Sequence, residues 1–131
     1  MKEPVKADIL IVEDHPTMRQ SMRIILEQEG FILREAPDGR TAMELIEERL
    51  PDVVFLDLNM PPPSGAEVLR WIKSDPDTAK AKVIIVTALG EERRAEVMAL
   101  GADHYFTKPF SPLGLLAVVD EVLAGDRGDP Q

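Results

Sequence analysis

The sequence contains no cysteine, which excludes disulfide bonds and metal sites built from thiolates. It also lacks any apolar run that approaches the length of a bilayer-spanning helix. Residues 1–7 mix charged side chains with Pro4 and do not contain the apolar block of a signal peptide. We therefore expect a cytoplasmic protein that does not associate with a membrane.

Basic residues are scarce: 15 Lys and Arg stand against 24 Asp and Glu, giving a net charge of -9. A negative surface repels nucleic acid and anionic lipid, so direct binding to DNA or RNA is disfavoured. The same charge favours divalent cations and basic partner surfaces. The hydrophobic fraction of 44% and the charged fraction of 30% are typical of a globular protein. A length of 131 residues suits one domain, which we place at residues 1–124, with residues 125–131 as a flexible tail or truncated linker.

Short apolar runs rich in β-branched residues alternate with stretches of helical periodicity, which predicts a parallel α/β sheet covered on both faces. The predicted strands are Ala7–Val12, Phe31–Ala36, Val53–Asp57, Val83–Thr87 and Ala102–Thr107. The helices follow Pro16, Gly39, Ser64, Glu91 and Pro112, and Ser64 and Glu67 form a capping-box pattern. The predicted inward faces are Met18, Met22, Ile25 and Leu26; Ala42, Leu45 and Ile46; Val68, Leu69 and Ile72; Ala95, Met98 and Ala99; and Leu113, Leu116, Val119, Val122 and Leu123.

Polar residues close four of these strands, and parallel topology brings them to one edge of the sheet. They are Glu13, Asp14, Asp57, Thr87 and Lys108. Crowded carboxylates repel one another, and a hard divalent cation relieves that repulsion; Mg²⁺ fits best because no histidine-rich or thiolate cluster recruits zinc. A lysine and a hydroxyl suit phosphate oxygens. The group therefore suits phosphoryl transfer, with an aspartate as the nucleophile.

Five motifs follow one another in order along the chain. They are Glu13-Asp14; Asp57 followed by Asn59-Met60-Pro61 and Gly65; Thr87-Ala88; Tyr105; and Lys108-Pro109-Phe110. In this order and spacing they resemble the receiver domain of two-component response regulators, from Asp8 to about Ala124. The resemblance implies a flavodoxin-like, doubly wound sheet of five parallel strands in the order 2-1-3-4-5 with five helices.

The resemblance also implies roles for these residues. Asp57 would accept a phosphoryl group from a sensor histidine kinase or phosphotransfer protein. Asp14, Asp57 and the main-chain carbonyl of Asn59 would hold Mg²⁺, with Glu13 acting through a bound water. Lys108 would bind the phosphoryl group, while Thr87 swings toward it and Tyr105 turns inward. This motion would switch the surface of the fourth helix, fifth strand and fifth helix, and so control an output domain or partner protein.

Plainer interpretations of single residues exist. Thr87 could be an ordinary strand terminus, Tyr105 a half-buried strand aromatic and Lys108 a turn lysine. The two histidines, His15 and His104, match no motif, and we expect both to be loop or surface residues. A trans Lys108–Pro109 bond is the default expectation, whereas the resemblance implies a cis bond.

Two other functions remain open. A haloacid-dehalogenase-like phosphatase also uses a strand-end aspartate with Mg²⁺, but it needs a second acid where this chain has Asn59. The alternative is an interaction module that is never phosphorylated. We expect no enzyme acting on external substrates, only a domain that catalyses its own phosphorylation and dephosphorylation. A weak homodimer is also open: the last helix lacks the arginine common in dimeric relatives, although Arg93, Arg94 and Asp103 offer part of the charge pattern.

Overall fold

The computed structural model describes residues 7–126, in which five strands alternate with five helices. The strands are β1 (Asp8–Val12), β2 (Ile32–Ala36), β3 (Val53–Asp57), β4 (Lys82–Thr87) and β5 (His104–Thr107). The helices are α1 (Pro16–Glu27), α2 (Gly39–Glu48), α3 (Gly65–Ser74), α4 (Arg94–Ala99) and α5 (Pro112–Asp126). Over the described range, no helix is long and apolar enough to cross a membrane.

The strands form one parallel sheet in the order β2-β1-β3-β4-β5, which confirms the predicted flavodoxin-like topology. The central strand, β3, is buried at every residue. Its register pairs Leu56 with Val12 of β1 and Asp57 with Val86 of β4, and Thr87 pairs with Thr107 of β5. The carboxyl ends of β1, β3, β4 and β5 are therefore aligned at one edge.

Alternate residues of the strands enter two hydrophobic layers, one on each face of the sheet. On one face, Val54 and Leu56 of β3 pack with residues of α2, α3 and α4. On the other face, Val53 and Phe55 pack with residues of α1 and α5. The predicted inward faces of α2 and α3 are confirmed, and α1 buries Met22 and Leu26 while Met18 and Ile25 pack partly exposed. The sheet is thus covered on both sides, and the buried polar residues Glu13, Asp57 and Thr87 lie at the carboxyl ends of its strands.

The predicted inward face of the fourth helix is wrong. α4 has six residues, and it buries Val97, whereas Ala95, Met98 and Ala99 are exposed. The helix begins later than predicted because residues 91–93 form turns after Gly90, whose φ is +73°. So few residues do not define a helical phase, and the most apolar side chain takes the single buried position.

The predicted face of the fifth helix is also partly wrong. Leu113 is 79% exposed, and Leu115 and Val118 are buried with Val119 and Val122. Leu116 and Leu123 pack only partly buried. Apolar residues fill almost the whole segment from 113 to 119, so periodicity alone left its orientation ambiguous.

Element ends differ by a few residues from the prediction. His104 is the first residue of β5 and half-buried against Phe106, so placing it in a loop or at the surface was wrong. α5 extends to Asp126, and residues 127–131 of the predicted tail lie outside the described range. The capping box of α3 is confirmed, since Ser64 Oγ accepts from the Glu67 amide at 3.2 Å and Glu67 Oε1 accepts from the Ser64 amide at 2.7 Å.

Gly65 allows α3 to start directly against the end of β3. A Cβ atom there would overlap the carbonyl oxygen of Asp57 and lie 2.6 Å from Cα of Leu58. We predict that Gly65→Ala lowers the free energy of unfolding by about 1–3 kcal/mol. The reason is that the backbone at residue 65 and the backbone of Asp57 and Leu58 must move apart. Urea denaturation followed by circular dichroism measures the change.

Gly114→Ala is the matched control. A Cβ at Gly114 would meet side chains, Ser111 Oγ at 3.1 Å and the Phe106 ring at 3.4 Å, and these can move. Its stability should stay within about 1 kcal/mol of the parent, since alanine also favours the helix. An equal loss in both variants would show that the tight approach at residue 65 is unimportant.

Candidate functional site

The candidate site lies where β1, β3 and β5 end. Glu13 and Asp14 follow β1, Asp57 is the last residue of β3, and Lys108 follows β5. Hydrogen bonding between adjacent strands continues one residue past the ends of β1 and β5. The Glu13 amide donates to Ala36 O at 3.1 Å, and the Lys108 amide donates to Thr87 O at 2.7 Å. The structure therefore brings these four predicted residues together.

Glu13 is the centre of the hydrogen bonding. Its side chain is 1% exposed, and Oε1 accepts from Nζ of Lys108 at 3.0 Å. Oε2 lies 3.2 Å from Nδ1 of His15 and accepts from the His15 amide at 3.3 Å. Burial alone would raise the pKa of Glu13, but the bonds and charge of Lys108 and the bonds from His15 outweigh it and lower the pKa below its usual value. Glu13 is therefore held as a carboxylate.

Asp57 has a different electrostatic environment. It is 3% exposed, Oδ1 accepts from the Asn59 amide at 3.2 Å, and Oδ2 lies 3.7 Å from Nζ of Lys108. Burial, reinforced by the negative charge of Glu13, raises the pKa of Asp57 to about 6. The Asn59 amide and the Lys108 charge oppose that rise without cancelling it. Asp57 is consequently more basic than an exposed aspartate, yet mostly ionised at neutral pH.

Asp14 is the residue that best indicates a cation site among these carboxylates. Its Oδ1 atom is buried and has no hydrogen-bond partner within the described part of the chain. Nδ1 of His15 lies 3.2 Å from this atom, but the hydrogen bond that Nδ1 forms is with Oε2 of Glu13. One ligand atom each from Glu13, Asp14, His15 and Asp57 fall within 4.8 Å of one another. A buried carboxylate oxygen without a donor, among other carboxylates, fits a hard divalent ion such as Mg²⁺.

Asn59 follows the end of β3 within the same turn. Its amide binds Asp57, and the next amide, of Met60, donates to Leu58 O at 3.1 Å. These bonds fix the peptide that carries the Asn59 carbonyl close to Asp57. Its role as a metal ligand stays a prediction.

Thr87 and Tyr105 bind neighbouring residues of the loop between β4 and α4. The buried Thr87 Oγ1 accepts from the Leu89 amide at 3.1 Å, and the Tyr105 hydroxyl donates to Gly90 O at 2.5 Å. The Tyr105 side chain already lies inward, 2% exposed, with the guanidinium carbon of Arg94 5.1 Å from its ring centroid. Burial raises the pKa of Tyr105. Both predicted switch hydroxyls therefore hold the segment 89–90.

Sequence reasoning missed the position of His15. The side chain is 69% exposed, as expected of a surface residue, but Nδ1 contacts both Glu13 and Asp14. Its place directly after the acid pair was the available signal. The Lys108–Pro109 bond is cis, as the resemblance implies, and Pro62–Pro63 is cis as well.

The family model described as "Response regulator receiver domain" matches residues 9–120. The phosphate regulon transcriptional regulatory protein PhoB of Pseudomonas aeruginosa is 40% identical over 116 residues, covering 88% of this chain and 51% of that protein. An uncharacterized 14.6 kDa protein of Leptolyngbya boryana is 34% identical over 122 residues, covering 92% of this chain and 93% of that protein. The chain therefore spans about half the length of the PhoB relatives and nearly all of the second protein.

Solved structures show the same fold. A response regulator receiver domain protein (CheY-like) from Methanospirillum hungatei superposes with a TM-score of 0.87 at 27% identity, covering 96% of this chain and all of that chain. The chemotaxis response regulator CheY4 of Vibrio cholerae gives a TM-score of 0.85 at 28% identity, covering 90% of this chain and 99% of that chain.

The raised pKa of Asp57 predicts a pH-dependent penalty on stability when divalent cations are removed. The folded carboxyl, with a pKa of about 6, binds a proton more tightly than the unfolded one, whose value is near 3.8. Stability due to this group is therefore greatest below the unfolded value and falls as pH rises between the two. With a chelator at neutral pH, Asp57→Asn should be more stable than the parent by about 1–3 kcal/mol, which urea denaturation would measure.

The comparison is repeated near pH 4, where the difference should shrink because the parent carboxyl is protonated in the folded state. A parent that is as stable as the variant at neutral pH, or a difference that does not change with pH, would contradict the assigned environment of Asp57.

Proposed function

This chain belongs to the family of response regulator receiver domains of two-component systems, and from this premise we propose that Asp57 accepts a phosphoryl group from a sensor histidine kinase or a phosphotransfer protein. The observation that supports the proposal is the juxtaposition of a buried, unusually basic carboxylate with Lys108 and two further acids. The proposal places the reaction in the cytoplasm, where such a donor would present its phosphohistidine.

The nucleophile is Oδ2 of Asp57, since this oxygen faces Lys108 while the Asn59 amide holds Oδ1. Oδ2 forms a bond to phosphorus, the phosphorus–nitrogen bond of the phosphohistidine breaks, and the donor imidazole leaves with the electron pair and takes up a proton. Attack requires the ionised carboxylate. A pKa of about 6 leaves that form dominant at neutral pH while keeping its basicity above that of a surface aspartate.

Lys108 would change partners during this reaction. Its Nζ binds Glu13 at 3.0 Å and lies 3.7 Å from Asp57. A phosphoryl oxygen on Asp57 would offer a stronger acceptor than Glu13 and draw the ammonium group to it. Asp14, Asp57 and the Asn59 carbonyl would hold Mg²⁺, with Glu13 acting through water. When bound, Mg²⁺ supplies positive charge that offsets the carboxylates and the phosphoryl oxygens.

The proposed output begins at Thr87. Its hydroxyl can donate to a phosphoryl oxygen, and moving toward the phosphate would release the Leu89 amide. Tyr105 is already inward, so we expect its hydrogen bond to Gly90 O to change rather than its ring to enter the core. Rearrangement of segment 89–90 would then alter the surface of α4, β5 and α5 that a partner or output domain reads.

The other interpretations carry less weight. The family match over residues 9–120 argues against a haloacid-dehalogenase-like phosphatase. The charges suggested for a homodimer are engaged within the chain, since Arg93 pairs with Glu96, Arg94 with Glu91 and Asp103 with Lys73. An interaction module that is never phosphorylated is the alternative to be tested. The proposed product is an aspartyl phosphate on the domain itself.

Incubation with acetyl phosphate and Mg²⁺ should add one phosphoryl mass to the parent, measured by intact mass spectrometry. Asp57→Asn should remove the addition, because the amide is not a nucleophile. Asp120→Asn, which changes an exposed acid on α5, is the matched control and should be labelled like the parent. Labelling of the Asp57→Asn protein would refute the assignment. An unlabelled parent, even with a histidine kinase supplied, would favour the unphosphorylated module.

Lys108→Ala should still bind Mg²⁺ but lose the conformational response, since the ammonium group that links the site to β5 is absent. Backbone amide shifts of residues 87–105, recorded with and without phosphorylation, measure the response. The exposed Lys80→Ala is the control and should behave as the parent does. Parent-like shifts in phosphorylated Lys108→Ala would show that Lys108 is not required for coupling.

A further inference from the structure

We propose that His15 is a metal-selectivity residue: its imidazole gives this site a nitrogen donor that binds Zn²⁺ and similar transition-metal ions. Mg²⁺ does not use this nitrogen donor. The inference rests on the proposed function, because it concerns the same carboxylate site. It adds a residue to the ligand set that the receiver-domain resemblance implies.

The geometry places the imidazole at the carboxylates. Nδ1 lies 3.2 Å from Oε2 of Glu13 and 3.2 Å from the buried Oδ1 of Asp14. One ligand atom from each of these three residues and one oxygen of Asp57 all fall within 4.8 Å of one another. Ligand atoms about 2.0–2.2 Å from one tetrahedral Zn²⁺ ion lie about 3.3–3.6 Å from one another. The 3.2 Å separations are close to that value, whereas the 4.8 Å span has to shorten by about 1 Å. A modest adjustment of these four side chains would therefore bring one nitrogen and several oxygens to a common ion.

The contacts of the His15 ring within the described residues are confined to the acid pair of the site. It is the N-cap residue of α1, but its side chain makes no capping hydrogen bond. Pro16, at the start of the helix, has no amide N–H and so presents no donor that would need an acceptor. The side chain is 69% exposed, so the ring is accessible to ions from solvent and free to adjust. Its defined contacts within the described residues are with the two acids.

The chemical type of the donor atom determines which metal ions bind more tightly when His15 is a ligand. Mg²⁺ prefers oxygen ligands and retains water, so an imidazole adds little to its binding. Zn²⁺ and Ni²⁺ bind imidazole well and exceed the affinity of harder ions at mixed nitrogen and oxygen sites. In the metal-bound form Nδ1 presents its lone pair and Nε2 carries the ring proton. Zn²⁺ would then compete with Mg²⁺ for the carboxylates around Asp57.

The chain offers a matched control, because His104 is its only other histidine and no cysteine is present. His104 is the first residue of β5 and contacts Phe106, whereas Lys108 follows the last residue of that strand. His104 and Lys108 are therefore at opposite ends of β5. The full chain, His15→Gln and His104→Gln are titrated with Zn²⁺ and with Mg²⁺ by calorimetry, slightly above neutral pH. The ring nitrogens are followed by NMR, and thermal melting checks that each variant is folded.

We expect His15→Gln to weaken Zn²⁺ binding by at least about tenfold and to change Mg²⁺ affinity by less than about twofold. His104→Gln should leave both unchanged, Zn²⁺ should shift the Nδ1 resonance of His15, and excess Mg²⁺ should displace it. Unaltered Zn²⁺ affinity in His15→Gln would overturn the inference. In a parent that binds Mg²⁺, Zn²⁺ that excess Mg²⁺ cannot displace would overturn it as well. Failure of the parent to bind Mg²⁺ would instead count against the proposed function. In that case, loss of Zn²⁺ affinity in His15→Gln would still support His15 as a Zn²⁺ ligand.

Discussion

The crowding of three carboxylates, two of them buried, is the constraint on which this site depends. Glu13, Asp14 and Asp57 meet at one edge of the sheet, and Lys108 is the cation bonded among them. Nζ lies closer to Glu13 than to Asp57, so Glu13 is stabilised as a carboxylate. Burial, followed by repulsion from Glu13, raises the pKa of Asp57. Two acids a few ångströms apart thus acquire opposite pKa shifts. The more basic one is the residue that we propose as the nucleophile.

The sheet makes this arrangement tolerable. β3 is buried at every position and paired on both sides, so Asp57 stands at the end of the most firmly held strand. Gly65 lets the following helix begin against the same backbone. Packing elsewhere in the two hydrophobic layers can therefore offset the unfavourable free energy of crowded charges at one edge. A site on mobile loops could not hold these groups at fixed separations.

Much of this could be predicted from the sequence, and the reasons are specific. Buried strands such as Val53–Asp57 are short apolar runs ended by a polar residue, and a strand-end residue lies at the shared edge whatever its neighbours do. The phases of α4 and α5 were not predictable in the same way. Six residues give too little periodicity to select Val97, and an almost continuous apolar segment does not distinguish Leu113 from Leu115. The contacts of His15, Thr87 and Tyr105 depend on loop conformation, about which strand and helix periodicity carries no information.

Those loop contacts offer a route by which the proposed phosphoryl group on Asp57 would act at a distance. Lys108 belongs to the site through Nζ, and its amide also holds Thr87 O at 2.7 Å, so it joins the ends of β4 and β5. Thr87 and Tyr105, one from each strand, bind adjacent residues of the loop that leads to α4. That helix is short and buries Val97 alone, so little packing opposes its displacement. Under the proposed function, a small change in hydrogen bonding at these strand ends would be transmitted to this short helix.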